Sequence, residues 1–155
     1  MSAGARRVQG RGECRGAAGT GARRGAWLAG RRMAQTGGMR PAGLHHVSIN
    51  VRDVSAARDF YVGVLGLTER ADRPDFSFDG AWLDAGSQQL HLIKADVPPD
   101  RGQHFALAVT DLDAAVAELR GHGLTVTDPV PVGSGRQSFL SDPAGNRIEL
   151  QEPGA

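Results

Sequence analysis

The stretch Leu44-His45-His46-Val47-Ser48-Ile49-Asn50-Val51-Arg52-Asp53 decides the fold, because a version of it returns 58 residues later as Gln103-His104-Phe105-Ala106-Leu107-Ala108-Val109-Thr110-Asp111. At that spacing His46 falls on His104, Val51 on Val109, Asp53 on Asp111, Ala57 on Ala115 and Gly63 on Gly121. The same offset, with no gap, carries Asp84 onto Asp142, His91 onto Glu149 and Leu92 onto Leu150. A fixed-offset repeat means that one supersecondary unit is used twice. Here each copy places a metal-competent side chain at both matching positions, so His46 to His91 and His104 to Glu149 are each 45 residues apart.

Outward from that stretch the two copies read alike. Val47, Ile49 and Val51 alternate with His46, Ser48 and Asn50, the pattern of a half-buried strand. Asp53 is placed to cap a helix whose apolar stripe is Ala57, Phe60, Tyr61 and Val64, ended by Gly66. Three strands are expected over Leu67–Ala71, Phe76–Asp84 and Gln88–Lys94. In the second copy Phe105, Leu107 and Val109 alternate, and Leu112, Ala115, Val116 and Leu119 form the helical stripe. Strands are expected at Leu124–Thr127, Arg136–Leu140 and Arg147–Gln151, with a turn at Asp142-Pro143-Ala144-Gly145-Asn146. Each half is therefore βαβββ, and the fold class expected is α+β: two tandem modules, 44–94 and 103–152, within one domain over 44–153.

Composition divides the chain differently. Residues 1–43 hold eleven Gly and nine Arg against a single acid, Glu13, a net charge of +8. Because the whole chain is +1, the remainder is −7. An acidic body with one lysine, Lys94, argues against a folded nucleic-acid platform. The Arg/Gly-rich segment lacks apolar periodicity and is read as a disordered tail. It lacks the apolar core of a secretory signal, and translation from Met33 or Met39 would leave it an upstream-start artefact. The single cysteine, Cys14, excludes a disulfide framework and a thiolate metal site. No apolar run approaches a membrane span. A reducing, cytoplasmic setting is expected.

Strand parity selects the candidate site. The aliphatic face of each first strand must cover the helix, since apolar burial there stabilises the fold. Leu90, Leu92, Ile148 and Leu150 share that face, so His46, His91, His104 and Glu149 point the other way. If the two sheets curl toward one another, three imidazoles and a carboxylate converge in a cleft. That N₃O set suits a divalent transition metal (Ni, Zn, Co, Mn or Fe) better than Mg²⁺ or Ca²⁺. Ser48, Asn50, Gln89 and Arg147 lie beside the ligands by the same parity and are candidates to orient a small-molecule substrate. His45 has the wrong parity, and His122 sits at a helix end where an imidazolium is mildly favourable.

The motifs His46-Val-Ser-Ile-Asn-Val-Arg-Asp53, Phe60-Tyr61-x-x-Val64-Leu65-Gly66-Leu67, His104-Phe-Ala-Leu-Ala-Val-x-Asp111 and Asp142-Pro143-Ala-Gly145-Asn-Arg-Ile148-Glu149-Leu150 resemble the vicinal oxygen chelate superfamily. That group includes glyoxalase I, methylmalonyl-CoA epimerase, fosfomycin-resistance thiol transferases, extradiol dioxygenases and bleomycin-binding proteins. The resemblance covers about residues 44–152. It implies an open eight-stranded barrel-like sheet around one metal, held by His46, His91, His104 and Glu149, and a homodimer whose cleft in some members is built from both chains. It further implies glyoxalase-type lyase or isomerase chemistry, with Glu149 as general base beside a metal-chelated carbonyl. His91 departs from the Glu or Gln usual there in isomerases. A thiol transferase of the fosfomycin-resistance type would use His46, His104 and Glu149. A metal-free drug-binding module of the bleomycin-resistance type would instead stack its ligand on Trp82, Phe78 and Phe139.

Overall fold

The computed structural model describes residues 39–154, so the reading of residues 1–43 as a disordered tail lies outside them except for residues 39–43, which form no helix or strand. The first module runs β1 (His46–Val51), α1 (Val54–Arg58), a π-helix (Asp59–Val64), β2 (Thr68–Glu69), β3 (Gly80–Ala85) and β4 (Gln88–Lys94). The second runs β5 (His104–Ala108), α2 (Leu112–Gly121), β6 (Val130–Val132), β7 (Gly135–Ser141) and β8 (Arg147–Glu152). The sheets are ordered β1-β4-β3-β2 and β5-β8-β7-β6. In each, the first and last strands pair in parallel and the remaining pairs are antiparallel. The tandem βαβββ, α+β architecture is as expected. The two sheets do not join: β1 and β5 are each an edge of their own four-stranded sheet.

The helices begin as their sequences dictate. Asp53 accepts from Ala56 N at 3.1 Å and Asp111 from Ala114 N at 2.9 Å, each satisfying a donor that the first turn leaves open. Both helical segments end before a glycine in left-handed conformation, Gly66 at φ 71° and Gly123 at φ 80°. In the first module the helix widens after one turn, with Leu65 N bonded to Phe60 O at 3.0 Å. This five-residue step is a π-bulge. It lets the adjacent Phe60 and Tyr61 both turn inward and become buried. The core joins both modules through Val51, Leu83, Leu90, Leu112, Ile148 and Leu150.

Several strand boundaries differ from expectation, and the strand expected over Leu67–Ala71 shortens to Thr68–Glu69. Residues 76–79 are loop, and β3 starts at Gly80, where a Cβ would stand 2.3 Å from Leu92 O. The strand expected at Leu124–Thr127 is instead an extended connection, tied to β7 by Thr127 N to Phe139 O at 2.9 Å. The fourth strand of that sheet is Val130–Val132, folded back on β7 through Gly133. Pro131 is tolerated there because an edge strand needs no donor on its outer side.

Pairing also refines the repeat. Trp82 faces His91, while Phe139 faces Glu149. The third strands are thus related by 57 residues while the fourth keep 58. The β7–β8 turn carries one residue more than the β3–β4 turn, and Asp84 corresponds in space to Ser141, not Asp142. Asp142 belongs to the enlarged turn, is buried, and gathers donors. Its Oδ1 accepts from Ala144 N at 2.9 Å and Asn146 N at 2.8 Å. Its Oδ2 accepts from Asn146 Nδ2 at 2.8 Å and from the Tyr61 hydroxyl at 2.9 Å. Asn146 Nδ2 also donates to Asn50 O at 2.9 Å, and Arg52 donates to Ala144 O at 3.0 Å. The turn is therefore a latch between modules. Burial, then the charge and hydrogen bond of Asp142, hold the Tyr61 phenol far above its usual range, so it stays a donor.

Candidate metal and ligand site

Each sheet presents one pair of the four residues singled out by parity. His46 and His104 stand on the edge strands β1 and β5, whereas His91 and Glu149 stand on the inner strands and are largely buried. The pairs form separately. His104 Nε2 lies 2.9 Å from Glu149 Oε2, and the His46 and His91 rings stack at 4.2 Å between centroids. Among the described residues no three His, Cys, Asp or Glu side chains come together where they could hold a metal. The convergence of all four is not reached within one chain.

The second pair carries a chemical signature. His104 Nδ1 is 2.8 Å from Gly102 O, and a carbonyl can only accept, so Nδ1 bears the proton. Nε2 faces a carboxylate oxygen at 2.9 Å, a contact that needs a proton or a cation between the two atoms. Cis donors on a metal with bonds of about 2.1 Å are about 3.0 Å apart. The pair therefore fits two positions of a divalent shell, and the backbone carbonyl on the far nitrogen is the partner a metal-binding imidazole ordinarily uses.

The first pair is held more firmly by its surroundings. His91 Nε2 donates to Gln89 Oε1 at 2.9 Å, and its ring is sandwiched between His46 and Trp82, the latter at 4.4 Å and 11°. Burial, with the neighbouring His46, His45 and Arg70, pushes its pKa below the ordinary imidazole value, so the ring is neutral near pH 7. Neutral imidazole is the form that binds metal. His46 uses Nδ1 with His45 Nδ1 at 3.0 Å, which leaves Nε2 for a metal. His45, excluded by parity as a ligand, thus supports the ring of a candidate ligand.

Of the candidate orienting residues, Ser48, Asn50 and Arg147 line one cavity of about 280 Å³ together with His104, Gln103 and Asn146. Gln89 does not join them; it holds His91. Arg147 is fixed by Asp100 at 2.8 Å and lies 5.8 Å from the Phe139 ring, whose edge meets His104 at 5.4 Å. A larger cavity of about 940 Å³ lies on the helix-facing side, lined by Val47, Leu65, Leu90, Phe105, Leu107 and Leu119 among others, away from the imidazoles. Sequence reasoning missed Gly102 O, the support from Gln89 and the Tyr61–Asp142 bond. The first is a backbone group with no side-chain signal. The last was foreshadowed by a polar hydroxyl on an otherwise apolar helical stripe.

A profile of the Glyoxalase/Bleomycin resistance protein/Dioxygenase superfamily matches residues 43–150, and the chain belongs to that superfamily. Over 122 residues it is 31% identical to the uncharacterized protein YaeR of Escherichia coli K12, covering 70% of this chain and 95% of that one. It is 29% identical over 124 residues to the lactoylglutathione lyase of Escherichia coli O157:H7, covering 70% and 91%. Among solved structures it is similar to TnmS3, an antibiotic binding protein from Streptomyces sp. CB03234, with a TM-score of 0.66, 30% identity, and coverage of 76% and 100%. No helix among the described residues is long and apolar enough to cross a membrane.

Proposed function

We propose that the chain is a divalent-metal-dependent lyase or isomerase of the glyoxalase type, acting on a small molecule in the cytoplasm as a homodimer. His104 and Glu149 of one copy would meet His46 and His91 of another. The observation that carries this reading is the His104–Glu149 contact, an imidazole nitrogen and a carboxylate oxygen held at a distance that cis metal ligands share. A nickel, zinc, cobalt, manganese or iron ion bound there would supply Lewis-acid stabilisation of charge developing on a substrate oxygen. The protein groups do the rest. Glu149, nearly withdrawn from water, takes the proton from the carbon beside a substrate carbonyl and returns it to the neighbouring carbon. Gly102 O keeps His104 in the one tautomer that leaves Nε2 for binding. Ser48, Asn50 and Arg147 orient the substrate from the small cavity beside His104.

The test is metal content after purification without chelators, alongside formation of S-lactoylglutathione from the hemithioacetal of methylglyoxal and glutathione. About one transition-metal ion per chain is expected, lost in Glu149→Gln. Mixing two defective variants, His46→Ala and Glu149→Gln, should restore metal binding, because their heterodimer keeps one complete set of four. No recovery on mixing would rule out a site shared between copies. No metal after reconstitution would favour the second reading, a small-molecule binding module, which the likeness to an antibiotic binding protein and the exposed rings of the first module support.

A further inference from the structure

A run of aromatic rings leads from the surface of the first module to its imidazole pair. Phe76 and Phe78, 40% and 43% exposed, stack at 5.1 Å and 8°. Phe76 meets Trp82 at 6.1 Å, Trp82 stacks on His91 at 4.4 Å, and His91 stacks on His46 at 4.2 Å. The outer end carries a cation: the Arg73 guanidinium lies 5.0 Å from the Phe76 ring and 5.5 Å from the Phe78 ring. It is anchored by donating to Phe78 O at 2.7 Å and more weakly to Pro74 O.

Among the described residues Arg73 makes no ion pair, although its loop is rich in acids. Asp72 is spent on Arg70, Asp79 accepts from Gly80 N, and Asp75, two residues from Arg73, forms no ion pair with it. The loop is therefore a platform of exposed π faces beside a guanidinium whose hydrogen-bond partners are backbone carbonyls and not carboxylates. Two exposed phenylalanines stacked in water are a hydrophobic liability unless something covers them. An arginine held over aromatic rings retains N–H donors for an anion.

We infer that this platform receives a flat aromatic group bearing an acidic substituent, the ring covering Phe76 and Phe78 and the anion meeting Arg73. The inference rests on the reading of this sheet face as the ligand face, and it adds the chemical class of ligand. The second module cannot duplicate it. Its structural counterpart of Trp82 is Phe139, and the Arg147 beside Phe139 is already paired with Asp100.

The experiment is calorimetric titration of the full chain with naphthalene-2-sulfonate, with and without EDTA. Cyclohexanesulfonate serves as the anion lacking a π face and 2-naphthalenemethanol as the ring lacking an anion. Each control should bind at least about tenfold more weakly, the size of one cation–π or stacking contact. Arg73→Gln, at a half-buried position, and Phe78→Leu, at an exposed one, should each weaken the sulfonate by a similar factor. Binding that survives EDTA keeps this result independent of metal, so the metal reading stands or falls on metal content after reconstitution and this inference on probe binding alone. Absence of naphthalene-2-sulfonate binding overturns the inference, as does equal binding of cyclohexanesulfonate. Indifference to both substitutions overturns it as well.

Discussion

The two modules share a strand plan and a capping residue, yet their third-to-fourth strand turns have diverged. In the first module Asp84 stands in β3, partly exposed, and pairs at 2.8 Å with Arg70, which also grips Asp72. In the second, one added residue places Asp142 in the turn, where it is buried and accepts four hydrogen bonds, one from the other module. The same residue type thus serves surface electrostatics in one half and joins the halves in the other. The difference teaches that a carboxylate's worth here is set by burial and by the donors aimed at it, not by its place in a repeat.

That contrast can be broken at four points. Asp142→Ala leaves the Tyr61 hydroxyl, the Asn146 amide and two turn N–H groups without their acceptor, and should cost about 3 kcal/mol or more in urea unfolding. Tyr61→Phe removes one donor and leaves packing intact; about 1.5 kcal/mol is expected. In a double-mutant cycle the two losses should fall well short of additive, whereas simple additivity would mean that the bond does not couple the modules. The caps test the likeness of the halves. Asp53→Ala and Asp111→Ala should each cost about 1 kcal/mol by thermal unfolding, and a disparity much larger than that would show that the shorter first helix depends on its cap differently. Smallest is Asp84→Ala, expected to change stability by less than about 1 kcal/mol because the pair is exposed and Arg70 keeps Asp72. A loss approaching that of Asp142→Ala would erase the distinction.

Much of the scaffold was legible because burial writes itself into periodicity. β1, β4, β5 and β8 appeared within a residue or two of their ends, and both N-caps were in place. Of the short edge strands, β2 was read too long and β6 was not legible. Val130-Pro131-Val132 is too brief to show alternation, and proline argued against it, while Leu124–Thr127 looks like a strand yet makes only isolated bonds to β7. The π-bulge was hidden because the i, i+3, i+4 spacing of Ala57, Phe60 and Tyr61 is shared with an α-helix. At the site, parity put His46, His91, His104 and Glu149 on the same face of their sheets, and the structure brings His46 to His91 and His104 to Glu149. Parity could not say whether the two pairs meet, since that depends on how two sheets are set against each other. A linear pattern carries no angle.

The extra residue in the β7–β8 turn has a consequence for how such a chain tolerates change. Glu149 keeps the face it shares with His104 because β8 is registered in parallel against β5, Ala106 facing Glu149. The hairpin that delivers β8 does not set that register. An insertion in the hairpin is therefore silent at the site, while the same insertion between β5 and α2 would have to be absorbed by the core. Duplicated folds built in this way have a protected place for novelty. In this chain that place acquired Asp142, and with it the bond by which one half holds the other.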